Sequence, residues 1–315
     1  MKAIYFDGVP RMRRNYPDPF PRKGEVLIKV RLAGICRTDL EIFKGYMGFR
    51  GVPGHEFVGD VVGPRSSRFF GRRVVGEINC GCGRCACCRR GDPRHCPKRT
   101  VLGIAGRDGA FGEYLVLPEK CLHLVPETVS EREAVFTEPL AAACRILDQV
   151  SRLPARTLVI GDGKLGLLVA QVLTRKTKVT LWGHHATRAR MVCGKTIEIS
   201  TPSRLGTRYP LVVEASGSPT GLEAAVGAVA PEGAIILKST YAGSPTFDFS
   251  RGVVVPEVTV LGSRCGPFEM ALELLRKKQI NTQTLIDGEY RLEDWREAFT
   301  AARRPGALKV LLKTP

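Results

Sequence analysis

Four cysteines in a short, glycine-rich stretch have the spacing of a closed metal site. They follow the pattern C-x2-C-x2-C-x7-C and are Cys82, Cys85, Cys88 and Cys96. Four thiolates around one tetrahedral Zn²⁺ need tight loops, and the neighbouring glycines let the backbone wrap closely. Because four protein ligands leave no open position, the pattern predicts a structural zinc. A set of reduced, unliganded thiols is the alternative.

A second group of potential metal ligands lies in three separate segments. Cys36 lies in Gly-Ile-Cys-Arg-Thr-Asp, His55 and Glu56 lie in Pro-Gly-His-Glu-Phe-Val-Gly, and Glu138 lies in Thr-Glu-Pro-Leu-Ala. One thiolate, one imidazole and a carboxylate suit a zinc that keeps a position for water or substrate. Each segment alone is weak evidence, because a single Cys is usually a small core residue. Together, and ahead of a glycine-rich turn, they predict an open, catalytic zinc.

The glycine-rich turn has the form G-x-G-x-x-G and lies between an apolar strand and a helix. In that setting Gly161 makes the tight turn, Gly163 lets a pyrophosphate approach, and Gly166 packs helix against strand. A purely structural turn is the alternative. The predicted dinucleotide-binding residues of the turn are Gly161, Gly163, Lys164, Leu165 and Gly166.

The end of the next strand bears on the choice between NAD(H) and NADP(H). NAD enzymes usually place Asp or Glu about 20 residues after the turn, where it binds the ribose 2′-hydroxyl. Gly183 occupies this position and is followed by His184, His185 and Arg188. A glycine does not repel a 2′-phosphate, and the His and Arg side chains could bind it. The sequence therefore predicts NADP(H) over NAD(H); two surface histidines and a loose specificity are the alternative.

The elements that position these residues change character along the chain. Residues 1–125 contain short strand-like runs, such as Glu25–Val30 and Glu113–Val116, and Ser130–Val150 has helical spacing with Pro139 at a boundary. From Thr157 onward strands alternate with helices, which predicts a parallel sheet with right-handed crossovers. The predicted strands there are Thr157–Ile160, Lys178–Trp182, Leu211–Glu214 and Ala234–Leu237, and the helices are Leu165–Leu173 and Thr220–Val229.

Composition narrows the function classes. The 315 residues carry 48 Lys and Arg against 31 Asp and Glu, a formal net charge of +17. Such a field attracts nucleic acid, anionic membranes or anionic small molecules. The basic residues form no single tract and no aromatic-interleaved stripe, so a basic solvated surface is the preferred interpretation. The N-terminus lacks a signal-peptide run, and eleven cysteines fit a cytoplasmic protein better than a secreted one.

These motifs together resemble the zinc-containing medium-chain alcohol dehydrogenases, especially the polyol and threonine dehydrogenase branch. Asp-Gly-Ala-Phe-Gly-Glu-Tyr at 108–114 adds to the resemblance, which covers nearly the whole chain. It implies an α/β protein with a GroES-like β-rich catalytic domain over 1–148. A Rossmann doubly wound parallel-sheet domain is implied over 149–285, with a return to the catalytic domain over 286–315.

The resemblance also implies roles for individual residues. Cys36, His55 and Glu56 would hold the catalytic zinc, with Glu138 near the metal, bound directly or through water. Zn²⁺ would lower the pKa of a substrate hydroxyl before hydride passes to the nicotinamide. Thr38 would hydrogen-bond the substrate oxygen and start the proton relay.

Two positions near Thr38 need comment. Many family members carry His where this chain has Glu41, so Glu41 receives no firm role. Arg37 matches a position that often reaches the cofactor diphosphate.

The predicted function is therefore a zinc-dependent oxidoreductase acting between NADP(H) and an alcohol, polyol or sugar/aldehyde, with one catalytic and one structural zinc. We expect a cytoplasmic homodimer or homotetramer without a membrane or nucleic-acid partner. One alternative is a basic zinc-knuckle protein that binds nucleic acid on a vestigial dehydrogenase body. A zinc-free quinone reductase is a weaker alternative, because the ligand set and the four-cysteine pattern argue against it. The loop at 45–50 carries two aromatic residues and a Met, which favours either a partly apolar substrate or core packing.

Overall fold

The computed structural model of the chain describes residues 1–185, 197–200, 208–240 and 248–315. The fold forms two compact units. Unit 1 comprises Met1–Glu138, Ala271–Lys277 and Ile286–Pro315, and unit 2 comprises Pro139–Met270 and Lys278–Leu285.

The chain is rich in short strands up to residue 124, and strands and helices alternate from residue 156. The strands are β1 (Ala3–Phe6), β2 (Pro10–Arg13), β3 (Glu25–Ile35), β4 (Glu56–Gly63), β5 (Arg73–Gly76), β6 (Asn79–Cys80), β7 (Thr100–Leu102), β8 (Gly106–Arg107), β9 (Tyr114–Pro118), β10 (Leu122–Leu124), β11 (Arg156–Ile160), β12 (Lys178–Trp182), β13 (Ile197–Ser200), β14 (Tyr209–Glu214), β15 (Val229–Leu237), β16 (Thr259–Gly262), β17 (Ile286–Arg291) and β18 (Lys309–Lys313). The α-helices are α1 (Arg37–Ile42), α2 (Ala86–Arg89), α3 (Glu131–Ala134), α4 (Thr137–Gln149), α5 (Lys164–Leu173), α6 (Thr220–Ala228), α7 (Phe268–Arg276) and α8 (Trp295–Arg303). Single helical turns lie at Tyr46–Gly48, Pro93–His95, Glu119–Cys121, Ser250–Val254, Gln283–Leu285 and Leu292–Asp294.

Unit 1 is built on a seven-stranded sheet in which β3 is the central strand. The sheet order is β10-β5-β4-β3-β18-β17, and β9 also pairs with β3. The predicted strand Glu25–Val30 extends to Ile35, because Leu32, Ala33 and Ile35 are also buried and pair with β4 or β18. The last strand of the chain thus lies against the strand that leads into Cys36.

Unit 2 is a parallel sheet of the doubly wound kind, as the strand–helix alternation predicts. The six strands lie in the order β13-β12-β11-β14-β15-β16, and each described pair is parallel. Its chain order reverses beside β11, which has β12 on one side and β14 on the other. Ligands of open α/β sheets bind at such a reversal, outside the carboxyl ends of the strands. The glycine-rich turn leaves β11 at this point.

The predicted helical stretch Ser130–Val150 forms two helices, and the break between them lies before Thr137 instead of at the predicted boundary, Pro139. Ser130 caps α3: its hydroxyl accepts from the backbone N–H of Glu133, and the Glu133 carboxylate accepts from the backbone N–H of Ser130. Pro139 lies in the first turn of α4, where a missing N–H costs no helical hydrogen bond. Across the described ranges no helix is both long and apolar enough to cross a membrane.

Candidate metal centres and dinucleotide turn

Cys36, His55 and Glu56 come together at the junction of two neighbouring strands. One potential ligand atom from each residue lies within 4.8 Å of those of the other two. Cys36 follows the end of β3, and His55 precedes the start of β4. Because these strands are antiparallel neighbours, the end of one lies beside the start of the other. His55 and Glu56 are almost completely buried, whereas Cys36 is half-buried.

A buried aspartate faces the imidazole of His55. Nδ1 of His55 lies 3.3 Å from Oδ1 of Asp39, and neither side chain is exposed beyond 4%. Neither of these two atoms makes a hydrogen bond within the described chain. Burial lowers the pKa of His55, but its interactions with Asp39 and Cys36 outweigh this effect, so the net pKa lies well above its ordinary value. With Nδ1 turned to Asp39, Nε2 is the nitrogen that suits a metal.

Asp39 is also fixed by the helix that follows Cys36. Its Oδ2 accepts a hydrogen bond of 2.8 Å from the backbone N–H of Cys36, the N-cap residue of α1. One carboxylate therefore closes the first turn of the helix and faces the imidazole. Asp39 ends the segment Gly-Ile-Cys-Arg-Thr-Asp, and its position three residues after Cys36 is the sequence signal for this role.

Glu56 is paired with a buried lysine from the far end of the chain. Nζ of Lys309 donates to Oε2 of Glu56, 253 positions away in sequence, and both side chains are essentially inaccessible. Gly34 lies between them in the sheet, opposite Glu56, and an added Cβ would come within 2.6 Å of Oε2. The pair compensates a carboxylate that would otherwise be buried at high cost.

A backbone clamp holds the segment before His55. The N–H groups of Ala110 and Phe111 donate to Gly54 and Pro53 at 2.9 Å each. Gly54 has φ 98°, and an added Cβ would approach the Phe111 ring to 2.7 Å, so only glycine fits. Asp108 accepts from the backbone N–H of Val52 at 2.8 Å. The motif at 108–114 thus has a positioning role for the His55 segment.

The four cysteines of the predicted structural zinc site, called the knuckle below, also form a cluster. Sγ atoms of Cys82, Cys85, Cys88 and Cys96 all lie within 4.8 Å of one another. Thiolates around a tetrahedral zinc are about 3.8 Å apart, given Zn–S distances near 2.3 Å. Cys96 is fully buried, and the backbone N–H of Cys82 donates to its sulfur at 3.4 Å.

Backbone donors prepare some of these thiols for ligation. Hydrogen bonds from the backbone N–H groups of Arg84 and Cys85 lower the pKa of Cys82 to about 6. The backbone N–H of Cys88 lowers the pKa of Cys85. Desolvation instead raises the pKa of Cys88 to about 11. Zinc binds thiolates, so Cys82 and Cys85 would lose their protons for a zinc ion more readily than Cys88.

The glycine-rich turn is tightly packed at two of its three glycines. Gly161 has φ 106°, and a Cβ there would contact Ala215 and Ser216 at 2.7 Å. A Cβ on Gly166 would overlap the carbonyl oxygen of Gly161, whereas one on Gly163 would meet nothing within 4 Å. Gly163 caps the N-terminus of α5 and leaves open space there, which fits a pyrophosphate.

Comparison with known proteins places the chain in a family. Residues 22–127 match the alcohol dehydrogenase GroES-like domain. The sorbitol dehydrogenase of Halalkalibacterium halodurans is 31% identical over 94% of this chain and 93% of its own. The chain belongs to the medium-chain dehydrogenase/reductase family. The predictions of this family, of its two-domain α/β fold and of a dehydrogenase enzyme are thereby confirmed.

Two solved structures extend the comparison to bound cofactors. The alcohol dehydrogenase RspB of Escherichia coli CFT073, solved with NADH, has a TM-score of 0.89 at 27% identity, over 99% of both chains. A Sinorhizobium meliloti 1021 protein, solved with NADP, has a TM-score of 0.87 at 26% identity, over 99% of this chain and 98% of its own. Relatives of this dehydrogenase thus hold both kinds of nicotinamide dinucleotide.

The other predicted site residues of unit 1 differ in their partners and burial. The Cys36 thiol donates to the Thr38 hydroxyl at 3.8 Å, so that hydroxyl lies beside a ligand. Glu138 is half-buried in the first turn of α4 and is not one of the three residues of the described cluster. Glu41 pairs with Lys44 at 3.0 Å, and Arg37 is exposed.

The remaining predicted residues follow β12 or lie in the loop after α1. Gly183 is buried, His184 and His185 are exposed, and Arg188 lies outside the described residues. In the loop, Phe49 packs into the core with Phe6 and Ile42. Tyr46 and Met47 are 42% and 61% exposed. Of the two explanations for the apolar loop residues, core packing therefore applies to Phe49.

Proposed function

We propose that this member of the family is a zinc-dependent oxidoreductase that transfers hydride between a nicotinamide dinucleotide and an alcohol or polyol. The observation that carries the proposal is the cluster of Cys36, His55 and Glu56. Sulfur, nitrogen and oxygen donors converge there, and three protein ligands leave a fourth position for a substrate oxygen. A sorbitol dehydrogenase among the full-length relatives supports a polyol substrate class.

The residues of the cluster have distinct parts in this proposal. Cys36 supplies a thiolate, His55 supplies Nε2, and Glu56 supplies the oxygen that Lys309 does not hold. Zinc, when bound, supplies Lewis acidity that lowers the pKa of a substrate hydroxyl. Asp39 keeps the His55 ring turned and favours Nδ1 as the protonated nitrogen. The Thr38 hydroxyl, beside Cys36, would hydrogen-bond the substrate oxygen. Glu138 remains a further candidate near the metal.

The knuckle is proposed to hold a second zinc with a structural role. Four sulfurs fill a tetrahedral shell, so no position is left for substrate. The knuckle glycines support that arrangement: a Cβ on Gly81 would approach the Cys88 sulfur to 2.7 Å.

The proposed dinucleotide site is the turn at the start of α5. Gly163, Lys164 and Leu165 present the helix N-terminus to the pyrophosphate, and Gly161 and Gly166 shape the turn. Arg37 is a candidate for the diphosphate. The preference for NADP(H) drawn from the sequence stays a prediction. A domain over 149–285 for the dinucleotide, a homo-oligomer and a cytoplasmic location complete the proposal on the strength of the family resemblance.

The test is a paired removal of one ligand from each cluster. Zinc per chain is measured by mass spectrometry, nucleotide binding by NADH and NADPH fluorescence, and turnover with a panel of polyols and alcohols. Cys36→Ser is expected to remove about one zinc and to lower turnover by about 100-fold or more, because Lewis acidity contributes several kcal/mol. Cys88→Ser is expected to remove about one zinc with nucleotide binding retained. Cys87→Ser, outside both clusters, is the matched control.

The outcomes separate this proposal from its rivals. A protein that binds neither nucleotide and loses zinc only with Cys88→Ser would contradict it. Salt-dependent binding to nucleic acid under those conditions would instead favour the knuckle-protein alternative. Full-length similarity to dehydrogenases does not favour that alternative.

A further inference from the structure

The position where NAD enzymes carry an acidic residue is filled here by a carboxylate from a different part of the chain. The sequence places Gly183 at the end of β12, where a side chain would meet the adenosine ribose. Asp162, the second residue of the glycine-rich turn, reaches this place from the end of β11. A Cβ added at Gly183 would overlap the carboxylate carbon of Asp162.

The turn itself fixes this arrangement. The backbone N–H of Gly161 donates to the carbonyl oxygen of Trp182 at 2.8 Å, which joins the ends of β11 and β12. The next residue, Asp162, is therefore held against Gly183. Its side chain is only 10% exposed, so the carboxylate is confined rather than free to turn into solvent. Glycine at 183 is the residue that leaves space for it.

His185 is engaged by the same carboxylate. Its backbone N–H donates to Oδ2 of Asp162, and its Nδ1 lies 3.2 Å from that oxygen. The imidazole that the sequence offered to a 2′-phosphate thus faces an acid. A phosphate beside His185 would therefore also lie close to the Asp162 carboxylate.

We propose that Asp162 takes the part of the ribose-binding acid and makes the site selective for NAD(H) against NADP(H). The inference rests on the proposed dinucleotide site and reverses the cofactor preference predicted from sequence. A carboxylate accepts a hydrogen bond from a ribose 2′-hydroxyl, whereas it repels a 2′-phosphate. The absence of an acid at position 183 is then a consequence of Asp162 and not a sign of phosphate binding.

Fluorescence titration of the zinc-loaded protein with NADH and with NADPH tests the inference, since binding is read without turnover. We expect NADH to bind more tightly by about tenfold or more, the order expected for one like charge at short range in a partly exposed site. Asp162→Asn keeps the shape and an acceptor oxygen but removes the charge. It should bring the ratio of the two dissociation constants to about one or reverse it. Asp248→Asn, which removes an exposed acid from the same unit, should leave the ratio unchanged.

A second experiment moves the acidic residue from position 162 to position 183. Asp162→Gly combined with Gly183→Asp moves the acid to the usual position after β12, and we expect it to restore the preference for NADH that Asp162→Gly alone loses. Tighter binding of NADPH by the wild-type protein, or an unchanged ratio in Asp162→Asn, would overturn the inference and leave the proposed function standing. A wild-type protein that binds neither nucleotide would overturn both.

Discussion

The two candidate metal clusters of unit 1 are built in opposite ways. The knuckle takes all four sulfurs from one short stretch, and its charges are stabilised by local backbone N–H groups. The cluster of Cys36, His55 and Glu56 lies in the sheet, and its charged groups are stabilised by Asp39 and by Lys309, which is 253 positions from Glu56. A local site depends on its own loop, whereas the buried site depends on the fold around it.

Replacement of the buried lysine is expected to have the largest effect, and it tests whether the buried cluster depends on Lys309. Lys309→Met should lower the free energy of unfolding of the metal-stripped protein by about 3–5 kcal/mol, because the Glu56 charge stays buried without a partner. The loss should be smaller in the zinc-loaded protein, where the metal compensates the same carboxylate. Denaturant unfolding of wild type and variant in both metal states measures the difference, and the contribution of the knuckle cancels.

Lys313→Met provides the control for that experiment. Lys313 is the exposed end of the same strand, so its replacement should change stability by less than about 0.5 kcal/mol. An equal loss for Lys309→Met with and without zinc would mean that Glu56 does not contact the metal. The dependence of the buried cluster on zinc would then need a different explanation.

Sequence reasoning found the residues of both clusters but not the groups that hold the buried one. The knuckle was accessible from spacing alone, because its ligands are neighbours along the chain. Lys309 was not, because the pairing of β18 with β3 decides that it lies beside Glu56, and one-dimensional spacing carries no information on that pairing. The place of Asp162 was hidden for a related reason: it follows β11 but lies beside Gly183, after β12, whereas the spacing rule considers only the end of β12.

The elements of unit 2 were predicted more closely than those of unit 1. In unit 2 the strands β11 and β12 and the helix α5 were predicted to within a residue, because each has its own periodicity and punctuation. The strand predicted over Ala234–Leu237 begins earlier, at Val229. In unit 1 the length of β3 was not predicted, and the break between α3 and α4 lies before Thr137 instead of at the predicted Pro139. Both are determined by neighbouring strands or by a local cap that competes with helical spacing.

The next largest effect is expected when an aspartate near each cluster is replaced by asparagine and zinc affinity is measured. Asp39→Asn preserves an acceptor for the Cys36 N–H but removes the charge that faces His55. It should weaken zinc binding at the buried cluster by about 10–100-fold, as is usual for partners of ligating histidines. Competition with a chromophoric chelator measures this affinity.

The matched control is a second Asp→Asn substitution, within the stretch that carries the knuckle cysteines. Asp92 pairs with Arg94 at 2.7 Å and belongs to neither cluster, so Asp92→Asn should leave both zinc affinities within about twofold, since it alters only a partly exposed ion pair. Equal weakening by the two variants would contradict the view that the buried cluster alone relies on a charged partner.

The smallest expected effect concerns the order in which the knuckle thiols react. In metal-stripped protein at pH 7, Cys82, with a pKa of about 6, is largely thiolate, whereas Cys88, with a pKa of about 11, is almost entirely thiol. Iodoacetamide should therefore modify Cys82 at least about tenfold faster, even after allowance for the weaker nucleophilicity of a low-pKa thiolate. As the pH rises toward 11 the ratio of the two modification rates should shrink, because Cys88 ionises while Cys82 is already thiolate.

Zinc should protect both thiols, and Cys87, outside the cluster, reports general access of the reagent. Equal rates at pH 7 would mean that the backbone N–H groups of Arg84 and Cys85 do not prepare the site, and that the knuckle depends on its metal for charge as fully as the buried cluster depends on Lys309.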